Sequence, residues 1–110
     1  MAVALVSAFL RVKLSDPDAS KALYAIAGER GGAELVIRGN NRMVATISEM
    51  LASARDARFA DPVITAAVTL SSIVGCVRAV LEGYAPPGFE DHLDRRLVLL
   101  VSAYFAAEAG

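Results

Sequence analysis

The side chains of this sequence that could carry out covalent or metal chemistry are few and scattered. Cys76 is the single cysteine and His92 the single histidine of the 110 residues, and they lie in different parts of the chain. A metal site needs a cluster of such ligands, and a nucleophile needs an activating base beside it. Asp91 and the neighbouring Arg95 and Arg96 give His92 the surroundings of a surface histidine. The sequence therefore predicts a protein that is not an enzyme and that binds no metal or cofactor.

A second group of residues could line an apolar binding cavity. Met43, Ile47 and Met50 share one face of a predicted helix, with Thr46 at its flank, and Tyr24 stands on the preceding helix. Methionines adapt to irregular apolar ligands, and a few hydroxyl groups can orient such a ligand. A stripe of this kind is more often simply core. The sequence leaves both interpretations open: a site for a small apolar or amphiphilic effector, or a packed interior.

The composition limits the classes of partner that the protein is expected to bind. Hydrophobic residues make up 55% of the chain, the mean hydropathy is +0.48, and 11 basic residues nearly balance 12 acidic ones. Such a balance lacks the excess of basic residues that is typical of proteins that bind nucleic acid or an anionic membrane surface. The longest uncharged run, residues 62–77, is shorter than the roughly 20 residues that a membrane span needs. We therefore expect a cytoplasmic protein without a membrane partner, and the apolar excess indicates self-association or an apolar cavity.

The elements that must position these residues are all predicted to be helices. Asp16-Pro17 and Asp61-Pro62 are typical helix starts, with a capping carboxylate before a proline in the first turn. Pro86, Pro87 and Gly88 interrupt the chain, and no strand alternation is visible. We predict a single all-α domain over residues 1–110, an antiparallel helical bundle with five helices at about 2–14, 17–29, 32–56, 62–84 and 89–108. Turn-forming residues 39–41 favour a kink in the third helix or its division into two.

The fourth predicted helix has two apolar faces, whereas an ordinary surface helix has one. Its core stripe is predicted to comprise Val63, Ala66, Leu70, Ile73, Val74, Val77, Leu81 and Tyr84. About a quarter-turn away, Ala67, Ser71 and Gly75 follow one another at four-residue spacing, beside Ile64 and Arg78. Because glycine costs about 1 kcal/mol in a helix interior relative to alanine, a close helix contact is needed to offset it.

The fifth predicted helix is apolar on nearly every side. Leu93, Leu97, Leu100 and Tyr104 make one predicted stripe, and Val98, Val101 and Phe105 make a second. Two such helices from each of two chains would form a four-helix bundle across a two-fold axis. The predicted homodimer interface comprises Ile64, Ala67, Ser71, Gly75, Arg78, Val98, Val101 and Phe105. A tightly packed monomer is the alternative.

With the helices placed, the chain resembles the C-terminal, ligand-binding and dimerisation region of tetracycline-repressor (TetR) family transcriptional regulators. The resemblance covers nearly the whole chain and rests on residues 16–24 (DPDASKALY), 59–62 (FADP), 75–82 (GCVRAVLE) and 92–101 (HLDRRLVLLV). It implies an all-α domain whose last two helices pair across a dimer. It also implies a cavity for a small effector whose binding releases operator DNA from N-terminal helix-turn-helix domains.

The sequence departs from the full family pattern at its N-terminus. The predicted first helix opens on residues 1–6 (MAVALV) without a capping residue, and no DNA-binding domain precedes it. We therefore expect a truncation or a lost preceding domain, so that the chain as given dimerises without binding DNA. The other interpretations left open are a free-standing homodimeric interaction module without a ligand, and a small enzyme or carrier with a hydrophobic pocket.

Overall fold

The computed structural model describes residues 2–27, 32–55 and 57–109, apart from the side chains of Leu23, Tyr24, Ile26 and Ala27. The described residues form the helices α1 (Ala2–Leu14), α2 (Pro17–Ala27), α3 (Gly32–Ala52), α4 (Pro62–Leu81) and α5 (Leu93–Glu108). They contain no named strand, and an isolated bridge joins Phe59 to Ala109. The all-α prediction and the order of the five helices are therefore confirmed.

The two predicted helix starts are built as their sequences indicate. The Asp61 carboxylate accepts a hydrogen bond from the Ile64 backbone N–H at 3.2 Å, and Pro62 occupies the first turn of α4. The Asp16 carboxylate accepts one from the Ala19 N–H at 3.1 Å at the start of α2. Each carboxylate satisfies a backbone donor that has no partner within its own helix.

Removing the cap of α4 is expected to destabilise the domain modestly. Asp61→Ala leaves the Ile64 N–H without its side-chain acceptor, and we expect the free energy of unfolding to fall by about 1 kcal/mol. Asp61→Asn keeps a capping oxygen and is the matched control, since Asn and Asp cap comparably well. Urea unfolding of both variants measures the effect. Equal losses for the two variants would contradict a capping role.

Several predicted helices are longer than the observed ones, and residues with left-handed backbone explain the difference at two helix ends. Helix α4 stops at Leu81 because Gly83 has φ +78°, and α5 begins at Leu93 because Gly88 (φ +83°) and His92 (φ +60°) are left-handed. An α-helix cannot run through such residues. Helix α3 ends at Ala52 instead of 56, and the predicted end of α2 at 29 lies outside the described residues. Helix α3 is continuous through residues 39–41.

The helices form a thin domain around one core. It measures 40 × 34 × 18 Å along its principal axes, so its thickness is about two helix diameters. Helix α4 packs most extensively on α3, α1 packs on α5 and α4, and α2 packs on α3. The buried apolar cluster consists of Ala2, Val6, Phe9, Leu10, Ile47, Leu51, Ala66, Leu70, Ile73, Val77, Leu81, Leu93, Leu97, Val101 and Phe105. A domain this thin leaves much helix surface uncovered.

The core stripe of α4 differs from its prediction at both ends. Val63 is 55% exposed and Tyr84 is 65% exposed, so placing them in the core was wrong. Val63 lies in the first turn, and Tyr84 lies beyond the left-handed Gly83 and off the helix. Thr65 and Thr69 are buried instead, and the Thr69 hydroxyl donates to the Thr65 carbonyl at 2.8 Å. That internal hydrogen bond lets a threonine occupy the core.

The two predicted stripes of α5 also need correction. Leu93, Leu97, Val101 and Phe105 form a single buried stripe at four-residue spacing, and Leu100 is half exposed. The Phe105 ring meets Phe59 edge to face, with ring centroids 5.9 Å apart. Val101 and Phe105 are 2% and 8% exposed, so their own protomer already encloses these two predicted interface residues.

Among the described helices, α4 has the length and apolar composition that a membrane span requires. Eight of its 20 residues are buried in the protein interior, including Thr65 and Thr69. A buried core helix meets the same criteria of length and composition, and α4 has the packing of such a helix.

Candidate ligand cavity and dimerisation face

Described residues line an apolar cavity between α1 and α3 that is partly open to solvent, with α4 at its base. It has a volume of about 330 Å³, and we call it the α1–α3 cavity. Its lining residues are Phe9, Lys13, Gly32, Leu35, Val36, Gly39, Asn40, Arg42, Met43 and Val74. This volume lies at the lower end of the range for small-molecule sites, about 300–1,000 Å³.

Helix α3 presents two glycines on the face that borders the cavity. Gly32 and Gly39 lie seven residues apart, two helical turns, on the lining face. A Cβ atom added to Gly39 would meet no heavy atom within 4 Å outside its own helix backbone. No neighbouring group of the protomer therefore requires glycine at position 39, although it costs about 1 kcal/mol relative to alanine. The absence of a side chain at Gly39 leaves open space beside the helix.

The residues predicted to bind a ligand are dispersed. Met43 lines the α1–α3 cavity, whereas Ile47 is 3% exposed and belongs to the core. Thr46 and Met50 are exposed and do not line this cavity, and the Thr46 hydroxyl donates to the Arg42 carbonyl at 3.1 Å. The side chain of Tyr24 lies outside the described residues. Of the four predicted ligand-binding residues whose side chains the structure describes, Met43 alone lines the cavity.

The sequence analysis missed most of the lining. Phe9 and Lys13 face the cavity from α1 because they are four residues apart on one helical face. Leu35 and Val36 face it from α3, between the two lining glycines. The signal available in the sequence was the pair of glycines, Gly32 and Gly39, at seven-residue spacing beside apolar residues.

The solvent-facing side of α4 carries a stripe with coiled-coil spacing. Ile64, Val68, Ser71, Gly75, Arg78 and Glu82 follow one another at intervals of 4, 3, 4, 3 and 4 residues, and all six are exposed. We call this stripe the α4 seam. Alternating steps of three and four residues are typical of a surface that packs along another helix. Ala67, half-buried, borders it, and an Arg78–Glu82 ion pair of 2.7 Å closes its C-terminal end.

Gly75 has no structural explanation within one protomer. A Cβ atom placed there would meet nothing within 4 Å beyond its own helix. Its position in mid-helix is nevertheless unfavourable by about 1 kcal/mol relative to alanine. The protomer therefore has room for a larger side chain at this position.

A protein-family model shows which family these helices form. The model described as "Tetracyclin repressor-like, C-terminal domain" matches residues 1–105 of the 110. The chain belongs to the tetracycline-repressor-like C-terminal domain family. No curated protein sequence and no solved structure matches the chain. The resemblance carried by the sequence segments is thereby confirmed. TetR-like domains are regulatory modules, in general without enzymatic activity, that typically dimerise and bind small effectors.

Helix α5 of this TetR-like domain also exposes apolar side chains. Leu99 is 72% exposed and Leu100 is 50% exposed, whereas Val98 is half-buried against the core. Leu100 and Cys76 line one groove between α4 and α5. Besides the α4 seam, the exposed leucines of α5 are therefore a second solvent-exposed apolar patch.

Cys76 and His92 do not meet in the TetR-like domain. Cys76 is half-buried on α4, and burial raises the pKa of its thiol, which keeps it protonated and weakly nucleophilic at neutral pH. His92 lies in the left-handed turn before α5 and makes no capping hydrogen bond. Among the described residues, no group of three or more His, Cys, Asp and Glu side chains is placed to hold a metal ion.

Proposed function

We propose that this domain is the effector-sensing and dimerisation part of a TetR-type transcriptional repressor. The effector is a small apolar or amphiphilic molecule, and its site is the α1–α3 cavity. The second copy of the chain packs on the α4 seam and on the exposed leucines of α5. Within the full-length regulator, occupation of the cavity releases operator DNA.

One observation carries this proposal: the cavity and the seam share a helix at consecutive residues. Val74 forms the base of the cavity, and Gly75 lies on the α4 seam. Helix α4 is 20 residues long and is anchored in the core by Ile73 and Val77, both 0% exposed. A ligand that displaces Val74 therefore moves a stiff helix whose neighbouring face carries the α4 seam, which we assign to the partner.

The coupling follows from linkage between two binding equilibria. An effector changes the dimer only if it binds one dimer geometry more tightly than another, and DNA must prefer the other geometry. Operator DNA binds through a helix-turn-helix domain that precedes this one in the full-length regulator. The chain itself has a net charge of -1 and so lacks the basic excess that is typical of a DNA-binding domain. The regulator acts in the cytoplasm, where a lone thiol such as Cys76 stays reduced.

Filling the cavity tests the proposal. We expect the chain to bind the neutral dye N-phenyl-1-naphthylamine with a blue shift in its emission, and Gly39→Leu to weaken that binding by at least about tenfold. Leucine places apolar atoms in the space beside Gly39. Gly39→Ala is the matched control: it should retain the dye and raise the free energy of unfolding by up to about 1 kcal/mol.

The outcomes separate the proposal from its alternative. Dye binding by Gly39→Leu equal to that of the unsubstituted chain would place the ligand elsewhere and contradict the cavity assignment. A stable dimer that binds no apolar probe at all would favour the homodimeric interaction module, for which the α4 seam alone suffices.

A further inference from the structure

We propose that the α1–α3 cavity recognises a hydrogen-bond donor of its ligand through the side chain of Asn40, and that its effectors are apolar molecules that carry a neutral carboxamide. This inference rests on the proposed function and specifies the chemical class of its effector. It follows from the hydrogen-bonding groups of the lining, from the position of Asn40 on α3, and from the cost of removing water from its amide.

The described side chains that line the cavity include one strong hydrogen-bond acceptor, the carbonyl oxygen of Asn40. Lys13 and Arg42 carry donors and no acceptor, and the thioether sulfur of Met43 accepts only weakly. The other lining residues are apolar or glycine. An N–H group of a ligand that points at a described lining side chain therefore has one strong partner, the Asn40 oxygen.

Asn40 lies on the face of α3 that borders the cavity. It follows Val36 by four residues and precedes Met43 by three, so the three residues share that face. Its side chain is half-buried, and together with Val74 it also lines the groove between α3 and α4. Asn40 and Val74 thus form part of the wall between this groove and the cavity. A ligand that fills the cavity contacts the amide in this wall.

The amide of Asn40 has no protein partner among the residues that the structure describes, because no hydrogen bond joins it to any of them. A ligand in the cavity displaces water from the amide, and a buried amide without a partner costs free energy. A primary carboxamide can accept from the Asn40 NH₂ group and donate to the Asn40 oxygen, so it satisfies both. A carboxylate accepts only and leaves the Asn40 oxygen unpaired.

The space fits a short amide. One water molecule occupies about 30 Å³ in the liquid, so 330 Å³ corresponds to a ligand of about 11 non-hydrogen atoms. 3-Phenylpropanamide has this size. The ketone 4-phenylbutan-2-one has the same shape, with a methyl group in place of the NH₂ group. Both molecules are neutral and carry the carbonyl oxygen, so the comparison between them isolates the N–H donors.

Calorimetric titration of the chain with 3-phenylpropanamide and with 4-phenylbutan-2-one tests the inference. An apolar cavity without an acceptor prefers the ketone, since the amide loses more hydration on burial. With the Asn40 oxygen in the lining, the ketone leaves that oxygen unpaired and the amide does not. We therefore expect the amide to bind more tightly than the ketone.

Substitution of Asn40 provides the second readout. Leucine has nearly the shape of asparagine and makes no side-chain hydrogen bond. We expect Asn40→Leu to weaken binding of the amide by about tenfold and to change binding of the ketone by less than about threefold, so that the preference for the amide is lost. Asn41→Leu is the matched control: Asn41 is exposed and does not line the cavity, so both affinities should stay unchanged. Binding of the neutral dye by Asn40→Leu shows that this variant keeps its cavity.

Failure of this inference is distinguishable from failure of the proposed function. If the ketone binds the unsubstituted chain more tightly than the amide, or if Asn40→Leu weakens both ligands equally, recognition of a donor by Asn40 is overturned and the cavity remains an effector site. A change in dimerisation of Asn40→Leu without a change in ligand preference would assign Asn40 to the groove between α3 and α4 and would overturn it as well. If the unsubstituted chain binds neither the amide, the ketone nor the neutral dye, the effector site itself is overturned.

Discussion

Gly75→Leu is expected to convert the proposed homodimer into monomers. The residue lies on the α4 seam, and the structure places nothing within 4 Å of an added Cβ, so the protomer has room for a larger side chain. Overpacking a close contact costs about 1–3 kcal/mol per site, and a two-fold interface contains the substitution twice. The combined cost of about 2–6 kcal/mol raises the dissociation constant by at least about thirtyfold.

Analytical ultracentrifugation over a range of protein concentrations measures this effect. Gly75→Ala is the matched control, because it improves helix propensity by about 1 kcal/mol and adds only one methyl group to the contact. Unfolding of Gly75→Leu, followed by circular dichroism, shows whether the protomer has kept its fold. A folded Gly75→Leu variant that remains a dimer at micromolar concentration would remove the α4 seam from the interface.

The parts of the fold that could be predicted are those encoded locally. Asp16 and Asp61, each followed by proline, gave the starts of α2 and α4 because capping depends on neighbouring residues alone. The helix ends were harder to predict. Gly83 and Gly88 are ordinary candidates for left-handed backbone, whereas a non-glycine residue such as His92 adopts it uncommonly, and the φ of +60° at His92 delays the start of α5.

The candidate site was predicted less well because it depends on which helices meet. Periodicity identifies an apolar face but not the helix that covers it. The Met43 and Ile47 pair looked like a single surface, yet Ile47 faces the core and Met43 borders the cavity with α1. The cavity also depends on the lack of a side chain at Gly39. A glycine adds nothing to the periodic pattern of apolar residues from which helix faces are predicted.

Helix α5 shows the same limitation most clearly. It is apolar around most of its circumference, so two different stripes satisfy a helical period. Which stripe faces inward is decided by contact with α1 and by the Phe59 ring, which precedes α4 in the chain and is remote from α5 in sequence. Such contacts between distant residues are not encoded in the local pattern of α5.

Phe105→Ala is expected to destabilise the protomer strongly. The side chain is 8% exposed and packs edge to face on Phe59 with ring centroids 5.9 Å apart. Truncating a buried phenylalanine removes its burial energy and leaves a cavity, so the free energy of unfolding should fall by about 3–5 kcal/mol. Urea unfolding at two protein concentrations measures this loss and separates it from dimerisation, which makes the midpoint depend on concentration.

Leu99→Ala is the matched control on the same helix. Leu99 is 72% exposed, so its truncation should change the unfolding of the isolated protomer by no more than about 0.5 kcal/mol. It should instead weaken the dimer, because the side chain lies on the surface that we assign to the partner. Phe105→Ala is therefore expected to lower the stability at every protein concentration. Leu99→Ala is expected to lower it only at protein concentrations where dimers form. The reverse pattern would return Phe105 to the interface and place α5 with its other face toward the core.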